Sequence, residues 1–459
     1  MAAITTRANR RGVALAATAL AMVVLVPAIG LGIDGATLYL VRAKLSQAID
    51  AGALAGARSL NTGADIASQA ATAQQVATKF FYANVPAGFW GTSNGSLTVG
   101  VTQDDATKVR TVTVAASVQA PLYFMSILNQ GASTVVSLSG AASRRDVNVM
   151  LVLDRSGSMS TADAIPAMQD AATIFVNKFA AGRDKVGLLT FGGSYFMAFH
   201  PSTTFKTASP NVTTLIGQVA GGGSTNTAQA LWLAYQEIVK LGEPGALNAI
   251  VLFTDGRPTA FTADFSPTLR MPWTCTYPTS PKLGVLTYYV DSHQNPVYTA
   301  GLFSTAATSI TDIAEQTPAD FSQGCQYYPP NWNRVYLDFW GMPAQDYYGN
   351  ATNGGYKTVD LTAISQPDQV EAASTNAADS AASRIRADST YRPVILTIGL
   401  GGTSSYPPDP DFMKKISNDP TSQYYTATEP AGLYVWSPTT AQLQQAFMLL
   451  ASEILRLAQ

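Results

Sequence analysis

Zinc chemistry has almost nothing to work with in this chain. Its 459 residues include only two cysteines, Cys275 and Cys325, and two histidines, His200 and His293. Neither pair stands at the close spacing of a zinc site. Charge is scarce too: charged residues make up 13% of the chain and the net charge is −2. That is about half the usual charged share, and it leaves no basic footprint for nucleic acid. No glycine-rich loop carries the lysine of a nucleotide-binding P-loop. No nucleophile motif accompanies Phe199-His200-Pro201 or Ser292-His293-Gln294. Both histidines therefore read as structural or exposed, and the chain reads as a non-enzyme.

What is abundant is apolar sequence. Hydrophobic residues make up 47% of the chain, and its length suggests about two or three domains. Gly12 to Ile33 is almost wholly apolar, with Thr18 its one clearly polar side chain. At about 1.5 Å per residue this run crosses a bilayer core of roughly 30 Å. Arg7, Arg10 and Arg11 precede it, and positive charge stays in the cytoplasm. The expected topology is a single pass through the cytoplasmic membrane, with residues 1–34 as cytoplasmic tip and anchor. Everything after Asp34 then lies outside. Pro27 is tolerable in such a helix. A signal peptide cleaved after Ala28 is the competing reading. The run, however, continues to Ile33 and enters a helical segment without a break, which favours an uncleaved anchor. In that oxidising setting a Cys275–Cys325 disulfide is favoured over two free thiols.

Residues 35–83 read as helix, because Leu38, Val41, Leu45, Ile49 and Ala53 recur at spacings of three and four and proline is absent until Pro86. The dense small residues allow close helix packing. They suit either a stalk or small-domain core, or a packing surface for partner subunits. Arg10-Arg11-Gly12, the apolar run, Asp34-Gly35, Tyr39 and the stretch from Leu45 to Ala57, LSQAIDAGALAGA, together resemble the N-terminal region of TadE/TadG-like Flp pilus assembly proteins. The resemblance covers roughly the first 60 residues. It implies a Tad/Flp pilus system, with pilus subunits as partners of the helix. The glutamate many members carry inside the apolar run is absent here.

Ser96–Val101 and Val109–Val118 alternate as strands, with Asp104-Asp105 in the turn between them. Pro121 to Leu128 reads as a short helix and Ser133–Ser143 as another strand. Residues 35–145 are thus expected to form a helical stalk with a small α+β, pilin-like module, and Arg144-Arg145-Asp146 marks its boundary. From there, apolar strands at Asn148–Leu153, Val186–Phe191, Ala249–Phe253 and Val394–Leu400 alternate with helical faces. Those faces run through Ile165, Met168, Phe175, Val176 and Phe179, then Leu231, Ala234, Ile238 and Leu241, and finally Leu443–Leu457. The alternation predicts an α/β fold around a doubly wound, mostly parallel sheet, covered on both faces.

Ligand sites in such sheets form at the carboxyl ends of strands. Asp154-Arg155-Ser156-Gly157-Ser158 directly follows the first buried strand there. Thr225 lies in Gly221-Gly222-Gly223-Ser224-Thr225-Asn226-Thr227 before a helix, and Asp255 ends another strand in Phe253-Thr254-Asp255-Gly256. All the candidate donors are oxygens, which suits a hard divalent cation, Mg²⁺ first and Mn²⁺ also. Asp154, Ser156, Ser158, Thr225 and Asp255 resemble, residue by residue, the metal-ion-dependent adhesion site of von Willebrand factor A (VWA) domains. The resemblance spans roughly residues 146–459 apart from an insertion. It implies binding without a chemical step: a carboxylate from a protein ligand replaces a metal-bound water. The rival reading is a membrane-anchored VWA scaffold or assembly factor unrelated to pili.

An inserted module at about 259–367 interrupts this region, since α/β connections normally take about two to six residues. It holds both cysteines and is rich in aromatics: Trp273, Tyr277, Tyr288, Tyr289, Tyr327, Tyr328, Trp332, Tyr336, Phe339, Trp340, Tyr347 and Tyr348. These either fill the insertion's own core or face a partner beside the metal loop.

Overall fold

The computed structural model describes residues 9–458 apart from 64, 129–130, 161–163, 266, 270–281, 291–295, 313–336, 340–342, 360–366 and 402–406. The chain divides into two compact units. One comprises residues 1–63, 67–104 and 110–144; the other comprises residues 64–66, 105–109 and 145–459.

The first unit opens with α1 (Asn9–Ser59), a continuous helix of 51 residues that passes through Pro27. It is long and apolar enough to cross a membrane. Along its first half Leu15, Leu20, Val23, Val24 and Ile29 are all more than half exposed, so the described residues of the chain leave this surface uncovered. The second half is amphipathic. Val41, Leu45, Ile49 and Ala53 are buried; they pack against α2 (Ile66–Asn84) and a three-stranded sheet ordered β1 (Ser93–Asp104), β2 (Val109–Pro121), β3 (Ser133–Arg145). The apolar stripe thus serves the unit's own core, each large side chain contributing about 1.5–3 kcal/mol. The small residues allow the helices to close up. A Cβ on Gly52 would stand 2.9 Å from the Ala77 carbonyl oxygen, and one on Gly56 2.9 Å from Val112 Cγ1.

Two expectations are corrected here. Residues 35–83 are two helices rather than one, because the chain turns at Gly63 with φ 139°, a conformation that glycine alone adopts freely. Residues 121–128 are not a helix throughout. Pro121 closes β2, at the strand end where no further ladder N–H is needed, and only Met125–Leu128 forms a 3-10 turn.

The second unit is an α/β domain. Its elements run β4 (Val147–Asp154), α3 (Ala164–Val176), β5 (Lys185–Phe191), β6 (Tyr195–Ser202), α4 (Val212–Ile216), α5 (Thr227–Leu241) and β7 (Leu247–Thr254). After the insertion come α6 (Pro367–Arg386), β13 (Val394–Leu400), α7 (Pro410–Ser417), β14 (Leu433–Ser437) and α8 (Leu443–Leu457). The six-stranded sheet has the order β14-β13-β7-β4-β5-β6. All its described pairings are parallel except β5 with the edge strand β6. Central strands β4 and β7 are buried at every position. Val149, Leu151 and Leu153 pack toward α3 and α8, while Met150 and Val152 pack toward α5 and α6. The chain leaves β4 on one side for β5 and β6, then crosses back to β7 and β13 on the other. The order therefore reverses at β4, and such a switch point opens a crevice at the strands' carboxyl ends.

The insertion contributes β8 (Ala260–Phe265), β9 (Pro267–Leu269), β10 (Lys282–Val290), β11 (Pro296–Phe303) and β12 (Leu337–Phe339). Strands β11, β10 and β8 form an antiparallel sheet, and β12 pairs with β9. Phe261, Ala263 and Leu286 are buried within the same core as α5 and α6, so the insertion begins as part of the domain. Among its aromatics, Tyr348 turns inward and its hydroxyl accepts a hydrogen bond from Gln229 Nε2 at 3.0 Å, whereas Tyr347 is 51% exposed. Trp273, Tyr277, Tyr327, Tyr328, Trp332, Tyr336 and Trp340 lie outside the described residues, as do Cys275 and Cys325.

Candidate metal centre

Asp154 is the last residue of β4, at the switch point, and is fully buried. Its Oδ1 accepts the Ser156 N–H at 2.7 Å, the local turn by which an Asp side chain redirects the chain after a strand. Its Oδ2 accepts from Thr254 Oγ1 at 2.5 Å. Ser156 Oγ lies 3.2 Å from Ser158 Oγ, and Ser158 Oγ donates to Asp255 Oδ1 at 2.7 Å. Asp255 follows β7, the neighbour of β4, and is equally buried. Four of the five candidate residues are therefore joined by one run of hydrogen bonds across two adjacent strand ends.

Thr225 is located through its backbone. Its N–H donates to Thr259 Oγ1 at 2.8 Å, and its carbonyl accepts from the N–H groups of Thr259 and Ala260 at 2.9 and 3.2 Å. The glycine-rich loop before it is laced to the Asp154 loop: Gly157 N–H donates to Gly223 O at 2.8 Å and Gly222 N–H to Arg155 O at 2.6 Å. A Cβ on Gly192 would stand 2.7 Å from Gly222 O, so the approach requires glycine. Asn226 then caps α5, and its Nδ2 donates to Thr262 Oγ1 at 2.8 Å.

The electrostatics follow from two buried carboxylates side by side. Burial, and then the charge of Asp255, push the Asp154 carboxyl up from its ordinary 3.8 to about 7. A low-dielectric pocket with two like charges and a rim of hydroxyls is an uncomfortable arrangement by itself. A hard divalent cation would relieve it, and an all-oxygen donor set is what Mg²⁺ or Mn²⁺ takes. The residues present thus fit such an ion. Asp154 and Asp255 would supply the charge, and Ser156, Ser158 and Thr225 neutral oxygens or hydrogen bonds to bound water.

Two families match this chain. Residues 149–257 match the von Willebrand factor type A domain, and residues 12–59 match the Flp pilus-assembly TadE/G-like family. The chain carries a VWA domain behind a TadE/G-like segment. The mouse calcium-activated chloride channel regulator 3A-1 is 31% identical over 129 residues, which is 28% of this chain and 14% of that protein. The Escherichia coli protein YfbK is 30% identical over 109 residues, 24% of this chain and 18% of that protein. The chain thus spans only a small part of these relatives. Among solved structures, the vWF domain of the type V pili tip protein Mfa5 from Porphyromonas gingivalis aligns with TM-score 0.39 and 15% identity, covering 69% of this chain and 97% of that one. The pilus adhesin SpaC from Lactobacillus rhamnosus GG aligns with TM-score 0.39 and 11% identity, covering 79% and 35%.

Three supports of the VWA site escape sequence reasoning. Thr254 holds Asp154, and Thr259 holds Thr225, yet neither carries a motif beyond its closeness in sequence to Asp255. Arg155 is the third. The residue is only 2% exposed, and its Nη1 donates to the Asp312 carbonyl at 2.6 Å. It thereby ties the segment after β11 to the Asp154 loop, and Ile310 from that segment joins the core. Arg155→Met keeps much of the volume and removes a charge-assisted hydrogen bond. We expect a loss of about 1.5–3 kcal/mol in chemical denaturation of the VWA domain; an unchanged midpoint and slope would show that the tie is dispensable. His200 is exposed and pairs with Glu237 at 2.7 Å, away from any nucleophile motif. His293 lies outside the described residues.

Proposed function

We propose that this chain is a membrane-anchored component of a bacterial Tad/Flp pilus assembly system whose VWA domain binds a protein ligand through a divalent cation. The observation that carries the reading is the buried Asp154–Asp255 pair, ringed by hydroxyls at the switch point of the sheet. The TadE/G-like match at residues 12–59 favours a pilus system over a scaffold unrelated to pili. In this reading α1 crosses the cytoplasmic membrane with Arg7, Arg10 and Arg11 inside, and the bulk of the chain is extracytoplasmic.

When bound, the cation offers a ligand carboxylate an electrophilic coordination position, Mg²⁺ being first choice and Mn²⁺ second. The chain's own residues do the rest. Asp154 and Asp255 hold the charge in place, the serine hydroxyls orient within the loop, and the laced glycine loop fixes Thr225. The role in this reading is adhesion or assembly rather than catalysis.

Calorimetric titration of the full chain with Mg²⁺ and with Mn²⁺ tests the reading. We expect saturable binding to the wild type and none to Asp255→Asn. Equal binding by both proteins would place the ion elsewhere and remove the main support for the function.

A further inference from the structure

Asp34 sits one residue beyond the apolar run of α1, yet only 2% of it is exposed. Its Oδ1 accepts the Tyr123 N–H at 2.8 Å, and its Oδ2 accepts those of Phe124 and Met125 at 3.0 and 2.7 Å. One turn earlier on the same helix face, a Cβ on Gly30 would stand 2.6 Å from Phe124 Cβ. Phe124 therefore seats on bare helix backbone, and the loop after β2 is fastened to α1 at the end of its apolar run. No other side chain at position 34 offers two oxygens at this reach to three converging N–H groups, apart from a longer carboxylate that would have to fold back.

The fastening brings exposed aromatics to that level. Tyr123 is 52% exposed, and its hydroxyl lies 3.2 Å from where a Cβ on Gly91 would stand. Beside it Trp90 is 53% exposed, held at φ 50°. A bulky residue seldom adopts this left-handed backbone. Leu31 and Ile33 on α1 remain exposed right up to the fastening. Tyr39, 72% exposed, follows Asp34 by about 7.5 Å at 1.5 Å per residue.

We propose that Trp90 and Tyr123 form a membrane-interface patch, seated in the lipid headgroup layer and held at that height by the Asp34 clamp. The proposal rests on the reading of α1 as a membrane anchor. Lipid is the favoured partner, because the Tyr123 backbone is bonded to Asp34, directly after the exposed Leu31 and Ile33 that end the apolar run of α1. Tyrosine and tryptophan also combine an apolar ring with one polar tip, which suits the boundary between hydrocarbon and water. The clamp sets how far the first unit stands above the bilayer and stops the helix from sliding through it.

The test uses the full chain in phosphatidylcholine nanodiscs, with trifluoromethyl-phenylalanine placed singly at positions 20, 123 and 424. Fluorine relaxation is measured with dissolved oxygen, which concentrates in lipid, and with a water-soluble gadolinium chelate. Position 20 should respond to oxygen, and position 424, on the second unit, to the chelate. Position 123 should respond to the chelate several-fold less than position 424. In Asp34→Asn, where an amide N–H replaces one acceptor, the chelate effect at 123 should rise several-fold while position 20 stays unchanged. Equal chelate access at 123 and 424, with position 20 in lipid, overturns the proposal and leaves the patch for a protein partner. An Asp34→Asn protein with no change at 123 overturns the clamp. Chelate access at position 20 overturns the anchor reading itself, and the proposal with it.

Discussion

Asp154→Ala is expected to abolish the Mg²⁺-induced rise in melting temperature of the VWA domain while leaving the metal-free domain folded. An ion at about one hundred times its dissociation constant stabilises the native state by about 2.7 kcal/mol. At roughly 2–4 °C per kcal/mol for a domain of this class, the wild type should gain about 5–10 °C. The variant should gain nothing. Its metal-free stability reflects two opposed effects. Loss of the Asp154 carboxylate orphans the Ser156 N–H and leaves the Thr254 hydroxyl only the Gly256 carbonyl at 3.1 Å as acceptor, at about 1 kcal/mol for each hydrogen bond lost. It also ends the repulsion with Asp255 inside a buried site. Asp154→Asn separates the two, since it can still accept from the Ser156 N–H but carries no charge; it should melt above the metal-free wild type. Scanning calorimetry with and without Mg²⁺ reads both quantities. An undiminished metal response in Asp154→Ala would sink the assignment of these residues.

The centre of the domain is legible in sequence because its strands are buried on both faces. Val149–Leu153 and Ala249–Phe253 are unbroken apolar runs; an acidic residue follows the first at once and the second after Thr254, which ends its strand. A carboxylate directly after a buried strand has few reasons to be there other than a site, which is why Asp154 and Asp255 stand out. The edges are a different matter. Strand β6 contains Pro201, and most of its positions are half-buried; β14 has only five residues, mostly half-buried. An edge strand that covers one face and meets solvent with the other loses the apolar signal on which recognition depends. The single-helix expectation over 35–83 failed for a related reason. The apolar period continues in register on both sides of the break, and only Gly63 reports the turn.

The supports of the site are hidden more deeply. Thr254 and Thr259 matter through what they face after folding, and a threonine at a strand end is common. Arg155 occupies a position in Asp154-Arg155-Ser156-Gly157-Ser158 where the resemblance asks for nothing in particular. Its role exists only because the insertion returns past the Asp154 loop and leaves the Asp312 carbonyl in reach. Likewise, Thr287 from β10 donates to Ser224 Oγ at 2.7 Å, so the insertion braces the loop that carries Thr225. The sequence alone places the insertion beside the metal loop by connectivity; the hydrogen bonds make it part of the loop's support.

Metal affinity should fall steeply as the solution is acidified below about pH 7. The Asp154 carboxyl, raised by burial and by Asp255 to about 7, must lose its proton before it can serve a cation. Below that value each unit of pH should weaken Mg²⁺ binding by up to about tenfold, since one proton competes with the ion. Above it the affinity should level off. The metal-free protein should show the opposite trend in stability. Between about 4 and about 7 the folded state keeps a proton that the unfolded chain has given up. The stabilising contribution is therefore fully present below about pH 4 and is lost as pH rises through 7. Acidification thus strengthens the empty site and weakens the filled one, and the two melting curves should converge as the pH falls. Calorimetric titrations at pH 5.5, 6.5, 7.5 and 8.5, with thermal melts of the metal-free protein at the same values, measure both arms. A flat affinity across this range would show that Asp154 is already ionised at the lowest pH, and that the two carboxylates do not repel each other enough to hold a proton. The Asp255→Asn variant supplies the control: with the neighbouring charge gone, the metal-free stability should vary less over the same window.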